Sequence, residues 1–598
     1  DDWRSQWRDA FNIKPVTDEF YATLKEVFHA VESGITGLQG EDRRAFTELM
    51  INRLIFLKFV EKKSWLNNDR DFLFHHFQKF GSERYWKDFL YHLFFEGLNT
   101  DPAQRPAEAS RVLGDVPYLN AELFSLSEQW NDSQVEVEGR SLDLLFDKLL
   151  NPYNFTVAET SPLEVEVAFN QDLLGYAYEE LIADQHGQGA YYTHPTEVNL
   201  MCRESLRAYL EERCPKVEKE LIARLVYGEL SITDGGTTLT PAQAVDLYTA
   251  LHDVTICDPA IGSGTFPVAM VKHLFTCLRS LGQILKEYAP FRELIDQAAL
   301  TDWHKGYELK LHIIERSVYG CDIDYFAVQI AKLRFWIELM VECDQPVPLP
   351  NFDFKLLVGD ALVSVIGSDS RGEPITLEEL WGHPTNPQGQ VNLSADLARK
   401  FTEKKKNYYS IQDPKERVIL RKSLFEDREQ LIRQALQFSR PARQRTDKHV
   451  LWQIDFAEIF QENNSGFDIV IANPPYLRHQ LIDDAYTDLG CSINKDFICG
   501  LYSRMLNLPS LKTRSDIYIY FFLRGFTILK NNSGVLCYIC SNSWLDSTYG
   551  ASLQEFSLRT TSIKMIIDNS VKRSFENAGI NTSINIFISK NKVLKEFD

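Results

Sequence analysis

The chain has 598 residues, 44% of them hydrophobic and 25% charged, which is typical of a water-soluble protein with several domains. Ten cysteines without paired metal-ligand spacing argue against a disulfide scaffold and favour a cytoplasmic location, and we find no apolar run long enough to cross a bilayer. The formal charge of −20 argues against a nucleic-acid partner, but net charge is a sum over the whole surface and allows a local basic cleft.

The first 160 residues are predicted to be mostly helical. In the stretch Arg43–Trp65, apolar residues recur at helical spacing among strong helix formers. Residues 1–160 show neither a glycine-rich phosphate loop nor the acidic pattern of a metal-dependent nuclease. We therefore predict a helical amino-terminal domain that acts as a scaffold or connector.

Residues 161–598 are predicted to form an α/β domain. It opens with a helix at Phe169–Leu181, a glycine-bearing loop at His186–Val198 and a second helix from about Pro195. From Val254 onward, short apolar strands alternate with helices. This alternation predicts βαβ units and hence a parallel sheet.

An insertion at about 363–465 interrupts the alternation. It includes the charged stretch Lys400–Lys448, whose composition favours a pair of solvated helices over a DNA-binding arm. The α/β pattern resumes at Phe467. Further along, Cys537 and Cys540 fall in an apolar strand that would turn them to opposite faces, so we interpret them as core residues.

A glycine-rich turn follows the first strand of the α/β domain. In Asp258–Phe266 (DPAIGSGTF), the glycines allow a sharp turn and a close approach to a ligand, and the helix behind them offers free N–H groups. A turn of this kind serves dinucleotides as well as other cofactors, so it does not identify the ligand.

Two carboxylates follow the next two strands. Asp322 ends the strand SVYGC, where a carboxylate can accept hydrogen bonds from ribose hydroxyls, and Ile323 beside it can pack on an adenine ring. Asp360 closes the strand FKLLV, where it can accept a hydrogen bond from an adenine amino group. Either residue alone is compatible with an ordinary surface carboxylate.

The tetrapeptide Asn473-Pro474-Pro475-Tyr476 decides between these interpretations. It follows the apolar strand FDIVIA, and its two prolines fix the backbone and remove two N–H donors. The Asn473 side-chain carbonyl and the Pro474 carbonyl can then hold both hydrogens of an exocyclic amino group, which directs the nitrogen lone pair toward a methyl donor. Tyr476 offers a stacking face for a planar base, which must be flipped out of a duplex to reach it.

These motifs, in this order, resemble the gamma-class N6-adenine DNA methyltransferases. The closest resemblance is to the methyltransferase part of type IIG restriction–modification enzymes and related phage-defence methylases, over roughly residues 165–590. It implies a Rossmann-like sheet that binds S-adenosylmethionine, double-stranded DNA as partner, and a prokaryotic protein. The expected activity is site-specific methylation of a flipped-out adenine.

The resemblance also assigns roles to individual residues. Asn473 to Tyr476 correspond to the catalytic tetrapeptide, and Tyr476 and Phe575 to the aromatic residues that stack on the target base. Ser515 to Tyr518 resemble a further motif that lies beside the cofactor. The residues implied to contact the cofactor are Tyr192, Thr193, Pro195, Asp258, Pro259, Ala260, Gly262, Ser263, Gly264, Asp322, Ile323, Asp360, Ala361, Asn473 and Pro475; no metal ligand is implied.

The chain departs from the family pattern in two respects. A target-recognition domain is expected after the last motif and is not evident, and neither is the amino-terminal nuclease of the fused enzymes. We expect these functions in a domain or subunit outside this chain. The same fold methylating another planar nitrogen (cytosine N4, an RNA base or a protein amide) is one alternative, and a bifunctional nuclease–methylase is another.

Overall fold

The chain forms two compact units, and neither unit is one continuous stretch of sequence. Unit 1 comprises residues 1–185, 329–352 and 408–420, and unit 2 comprises 186–328, 353–407 and 421–598. This division differs from the predicted single cut at residue 160. The computed structural model describes residues 14–119, 122–127, 129–155, 168–169, 174–179, 193–230, 239–298, 300, 303–368, 374–376, 395–411, 413–435, 449–460, 466–488, 493–569 and 581–590.

Unit 1 is mainly helical over the described residues, in agreement with the helical prediction. Short strand pairs join Ile35–Thr36 to Glu136–Val137 and Asn154–Phe155 to Ala168–Phe169. Its helices in the amino-terminal segment are Lys14–Ser33, Gly40–Lys62, Phe72–Phe80, Ser82–Tyr85, Ala107–Leu113 and Gly139–Leu145, with π-helical turns at Trp86–Leu90, His92–Leu98 and Phe146–Leu150, 3₁₀ turns at Pro102–Gln104, Glu122–Phe124 and Asp132–Gln134, and helical residues at 174–179.

The core of unit 1 explains why a later segment joins it. Helix Gly40–Lys62 is buried over most of its length, including Phe56. Residues 329–341 of a later helix are buried on nearly every side, so they need a surrounding core. Trp336 supplies the contact: its ring meets that of Phe56 edge-to-face at 6.3 Å, and its Nε1 donates to the Pro350 carbonyl at 3.0 Å.

Unit 2 contains a seven-stranded, mostly parallel sheet, which confirms the predicted α/β class. Its strands run in the order β6-β7-β5-β4-β1-β2-β3. Only β7 is antiparallel to both of its neighbours. The strands are β1 (Ile256–Asp258), β2 (Val318–Asp322), β3 (Leu356–Val358), β4 (Ile469–Ala472), β5 (Val535–Ser541), β6 (Thr561–Asp568) and β7 (Thr582–Ser589).

Helices surround this sheet, and β1, β4 and β5 are buried throughout, as expected for strands covered on both faces. The predicted helix from Pro195 is confirmed, and it packs on β4, β5 and the helix after β1. The helices of unit 2 are α1 (Pro195–Arg213), Lys219–Val226, Pro241–Asp253, α2 (Thr265–Leu285), Ala289–Gln297, Gly306–Ser317, Ile482–Asp488, Lys495–Met505, α3 (Ile517–Ile528), Ser543–Asp546 and Ala551–Thr560; helix Tyr325–Val341 begins in unit 2 and continues into unit 1 from residue 329.

Two predictions about local structure need correction. The helix expected at Phe169–Leu181 does not begin at Phe169, because residues 168–169 pair as a strand; residues 174–179 are helical, as predicted. The charged insertion does form helices, at Ala395–Ser410 and Pro414–Ala435, but they are not simply solvated. Phe401 and Leu424 are fully buried, since each helix carries an apolar stripe among its charges. The insertion also contains strands Val365–Ser368 and Pro374–Thr376 and helices Trp452–Asp455 and Ala457–Phe460.

The strand order creates one natural ligand site. From β1 the chain adds β2 and β3 on one side, and it adds β4 and β5 on the other. The order therefore reverses between β1 and β4, and open α/β sheets bind ligands outside the carboxyl ends of the strands at such a point. Both Asp258 and Asn473 lie at these carboxyl ends.

Candidate active site

A glycine turn connects β1 to α2 at this edge of the sheet. Gly264 has φ +84°, a left-handed conformation that an L side chain rarely adopts, and α2 begins at the next residue. The Ile261 N–H donates to the Cys321 carbonyl at 3.0 Å and ties the turn to β2. This close approach requires Gly320, because a Cβ there would meet the Ile261 side chain at 2.6 Å.

Asp322 supports the turn from the end of β2. One carboxylate oxygen accepts from the Gly262 N–H at 2.9 Å and the other from the Asp324 N–H at 3.0 Å. Loss of solvent raises the pKa of the Asp322 carboxyl to about 6. The adjacent Ile323 is 44% exposed, so an apolar side chain faces solvent beside a carboxylate at the sheet edge.

The other two predicted carboxylates are more enclosed. Asp258 is 1% exposed, and its Oδ1 accepts from the Ala260 N–H at 3.0 Å. Asp360 is buried, with Oδ1 accepting from the Leu362 N–H at 2.8 Å and Oδ2 from the Tyr486 hydroxyl at 3.1 Å. Tyr486 could not be predicted as a partner of Asp360, because it lies 126 residues away and belongs to no motif.

Asn473, the first residue after β4, is held by the segment that leads into α1. Its Nδ2 donates to the Thr193 hydroxyl at 3.0 Å, and Thr193 is 3% exposed. His194 caps α1 by accepting from the Thr196 N–H, and Pro195 occupies the first helical turn, which fixes where Thr193 lies. Because the amide donates through nitrogen, its carbonyl oxygen is the atom suited to accept from an amino group.

The loop beyond the tetrapeptide is fastened to the start of α3. The Leu477 carbonyl accepts from the Ile517 N–H at 3.0 Å, and the His479 N–H donates to Asp516 Oδ1 at 3.0 Å. Tyr476 is 7% exposed, so most of its ring already contacts protein. These bonds join the segment that follows Asn473 to Tyr476 to the motif Ser515 to Tyr518.

The structure thus brings most of the predicted residues to one edge of one sheet. Tyr192 and Phe575 lie outside the described residues. Pro259, Ser263 and Ala361 are buried within the turns that follow their strands. Their roles toward a cofactor or base stay predictions, whereas their clustering is a feature of the fold.

Residues 316–575 match the family model of the Eco57I restriction-modification methylase. Over these residues the chain is similar to restriction-modification methylases. The matched region includes Asp322, Asp360 and Asn473, while the glycine turn after β1 precedes it. Residues 42–179 match a second family, a domain of unknown function (DUF7814).

Curated relatives agree with this assignment. A Methanocaldococcus jannaschii protein named as a type II restriction enzyme and methyltransferase is 27% identical over 509 residues, which cover 73% of this chain and 41% of that relative. A type II methyltransferase of Geobacillus stearothermophilus, M.BstVI, is 29% identical over 128 residues, which cover 21% of this chain and 19% of that protein. The chain thus spans less than half the length of these relatives.

A solved structure shares the fold. The type IIL restriction-modification enzyme MmeI, solved in complex with DNA, superposes with a TM-score of 0.54 at 13% sequence identity, covering 97% of this chain and 58% of MmeI. In the part of this chain that the structure describes, no helix combines the length and apolarity needed to cross a membrane.

S-adenosylmethionine is the cofactor of the methylase domain, and the residues at the sheet edge fit it. A turn with side-chain-free positions at Gly262 and Gly264 lies beside a carboxylate, Asp322. The exposed Ile323 next to Asp322 offers an apolar surface for a purine ring. This combination suits a ligand with a ribose, an adenine and a charged tail.

Proposed function

We propose that this methylase domain transfers a methyl group from S-adenosylmethionine to the N6 amino group of adenine in double-stranded DNA, as the modification activity of a restriction–modification or phage-defence system. One observation carries the proposal. Asn473 ends β4 directly beside the glycine turn of β1, and the Thr193 hydroxyl fixes its amide. An acceptor for an amino group therefore lies next to the expected cofactor site.

Recognition of the amino group uses two acceptors. The Asn473 side-chain carbonyl and the Pro474 main-chain carbonyl accept one N–H each, which directs the nitrogen lone pair away from the base plane. Pro474 and Pro475 lock this backbone, so little conformational entropy is lost when the base binds. The amino nitrogen would form a new bond to the methyl carbon as the bond from that carbon to the sulfonium sulfur breaks, which leaves a neutral thioether, and the nitrogen would release one proton to solvent.

Residues that follow the neighbouring strands β1, β2 and β3 are proposed to bind the cofactor. When bound, S-adenosylmethionine supplies a methyl group activated by its sulfonium. In this proposal the turn at Gly262 and Gly264 and the residues Thr193 and Pro195 hold its methionine part, Asp322 accepts from its ribose, and Ile323 and Asp360 contact its adenine. These groups position the donor for in-line attack, the main source of rate in a reaction without a protein nucleophile.

The target adenine must leave the duplex to reach Asn473. Tyr476 adjoins the acceptors and supplies one stacking surface, and Phe575 is proposed as the opposite one. We propose adenine as the target, and not cytosine, because the order of the motifs in this chain resembles their order in N6-adenine methyltransferases. Reading of the surrounding bases is assigned to a domain or subunit outside this chain.

The proposal is tested with Asn473→Ala and labelled S-adenosylmethionine. We expect cofactor affinity within about twofold of wild type and transfer reduced by about 10²-fold or more, because the variant loses an interaction that acts on the reacting nitrogen. Binding of the cofactor serves as the internal control for folding. Undiminished transfer by Asn473→Ala would show that the amino group is held elsewhere.

A further inference from the structure

A pocket of about 560 Å³ lies beside the loop that follows the tetrapeptide Asn473 to Tyr476. Its lining comes from three segments: the loop after Tyr476, the residues before α3 and the turn before helix Ala551–Thr560. Three cationic side chains line it: Arg478, Lys512 and Arg514. All three are exposed.

The pocket is fixed to the candidate active site by the main chain. Arg478 stands between Leu477 and His479, and both of these are hydrogen-bonded to the segment at residues 516–517. The same segment follows directly on Lys512 and Arg514. The cations of the two segments are therefore held on one surface. One of them, Arg478, is two residues from Tyr476 in sequence.

The cations of this pocket outnumber its carboxylates. Among the described residues, no carboxylate lies within 4 Å of the Arg478, Lys512 or Arg514 side chains. The one carboxylate in the lining is Asp516, and it is used internally: Oδ1 accepts from the His479 N–H at 3.0 Å and Oδ2 from the Tyr549 hydroxyl at 3.2 Å. A protein of charge −20 thus keeps three cations together without acidic partners.

Other cations of unit 2 are paired with carboxylates: Lys495 with Asp483 at 3.2 Å, Lys530 with Asp468 at 3.2 Å, and Arg559 with Glu555. Unpaired cations that lie together in one pocket, unlike scattered ones, repel one another, and an anionic ligand relieves that repulsion. Arginine forks and a lysine ammonium together suit phosphate oxygens.

We infer that the pocket of Arg478, Lys512 and Arg514 binds the phosphodiester backbone of the DNA strand next to the target base. The inference rests on the proposed function, because it takes Tyr476 as the point where the base docks. Arg478 lies two residues from Tyr476, a backbone span of at most about 7 Å. The pocket therefore adjoins the point where the base docks, and it would anchor the strand while the base is out of the stack.

The test compares two triple variants that remove the same charge. The pocket variant is R478Q/K512Q/R514Q. The control is K216Q/K286Q/R433Q, three exposed cations on other elements of unit 2 that have no ion-pair partner among the described residues. Binding of the full chain to a fluorescent DNA duplex is measured across a series of salt concentrations, and cofactor affinity is measured in parallel.

We expect the pocket variant to bind DNA about tenfold or more weakly than the control. The slope of log affinity against log salt should fall by about one for each phosphate contact that is lost. The cofactor affinity of both variants should equal that of wild type. A pocket variant that binds DNA as the control does would overturn the inference, and so would a selective loss of cofactor affinity, which would assign the pocket to the methionine carboxylate.

A methyl-transfer assay on the same proteins separates the two proposals. If wild type methylates DNA and the pocket variant is indistinguishable from the control, the phosphate site is wrong and the proposed function stands. If the pocket variant alone loses DNA affinity but wild type yields no methylated base, the phosphate site stands and the proposed function is wrong.

Discussion

Substituting Thr193 tests whether its hydroxyl orients the Asn473 amide, which is proposed to bind the target amino group. Thr193→Val keeps the shape of this buried side chain but removes the hydroxyl that accepts from Asn473 Nδ2 at 3.0 Å. A neutral hydrogen bond of this kind contributes about 0.5–1.5 kcal/mol. If that free energy is needed only to orient the amide, kcat should fall by roughly two- to tenfold.

The assay is single-turnover methyl transfer at saturating cofactor, with Thr193→Ser as the matched control. Serine retains the hydroxyl and loses only a methyl group, so it should restore most of the rate. Cofactor affinity is measured separately, because Thr193 is also proposed to lie near the cofactor. Equal losses in the valine and serine variants would refute the reasoning, since they would trace the effect to packing and not to the hydrogen bond.

Three further predictions concern the cofactor edge and the stability of unit 2. Because the pKa of Asp322 is about 6 and only its ionised form accepts from both ribose hydroxyls, cofactor affinity should be constant above about pH 7 and fall toward tenfold per pH unit below 6; a titration from pH 5 to 8 that shows no decline in wild type, or the same decline in Asp322→Asn, would contradict this. Gly264→Ala should lower the free energy of unfolding by about 1–2 kcal/mol because φ there is +84°, whereas Gly500→Ala, inside helix Lys495–Met505, should not; similar melting temperatures for the two variants would count against it. Asp455→Ala removes the carboxylate that accepts from the Arg428 guanidinium at 2.5 and 3.0 Å and should cost about 1.5–3 kcal/mol in denaturant unfolding; a loss below 1 kcal/mol would show that this pair contributes little to stability.

Sequence reasoning recovered the residues that lie at the carboxyl ends of strands. Asp258, Asp322 and Asn473 each end an apolar run, and a parallel sheet carries all such ends to one edge. The strand order that makes β1 and β4 neighbours is not written in any one motif, because it depends on which strands pair across 213 residues of sequence.

Long-range side-chain contacts were beyond sequence reasoning for the same reason. The hydrogen bond from Asn473 to Thr193 joins residues 280 positions apart, and that from Tyr486 to Asp360 joins residues 126 apart. The sequence also does not predict that three cations lie together at Arg478, Lys512 and Arg514, since each belongs to no motif in its own segment. Their meeting follows from the bonds that fasten the loop after Tyr476 to the start of α3.

The predicted domain boundary at residue 160 differs from the two compact units for another physical reason. The prediction treats each domain as one continuous stretch of sequence, whereas residues 329–352 and 408–420 belong to unit 1. A mainly apolar helix such as Tyr325–Val341 signals burial without saying in which core.

Methylation of adenine N6 in DNA can be measured as label transfer from S-adenosylmethionine to mixed genomic DNA, followed by digestion to nucleosides. We expect label in N6-methyldeoxyadenosine with the wild-type protein and none with Asn473→Ala. Label in N4-methyldeoxycytidine, or in RNA or protein instead of DNA, would contradict the choice of adenine while keeping the methylase domain.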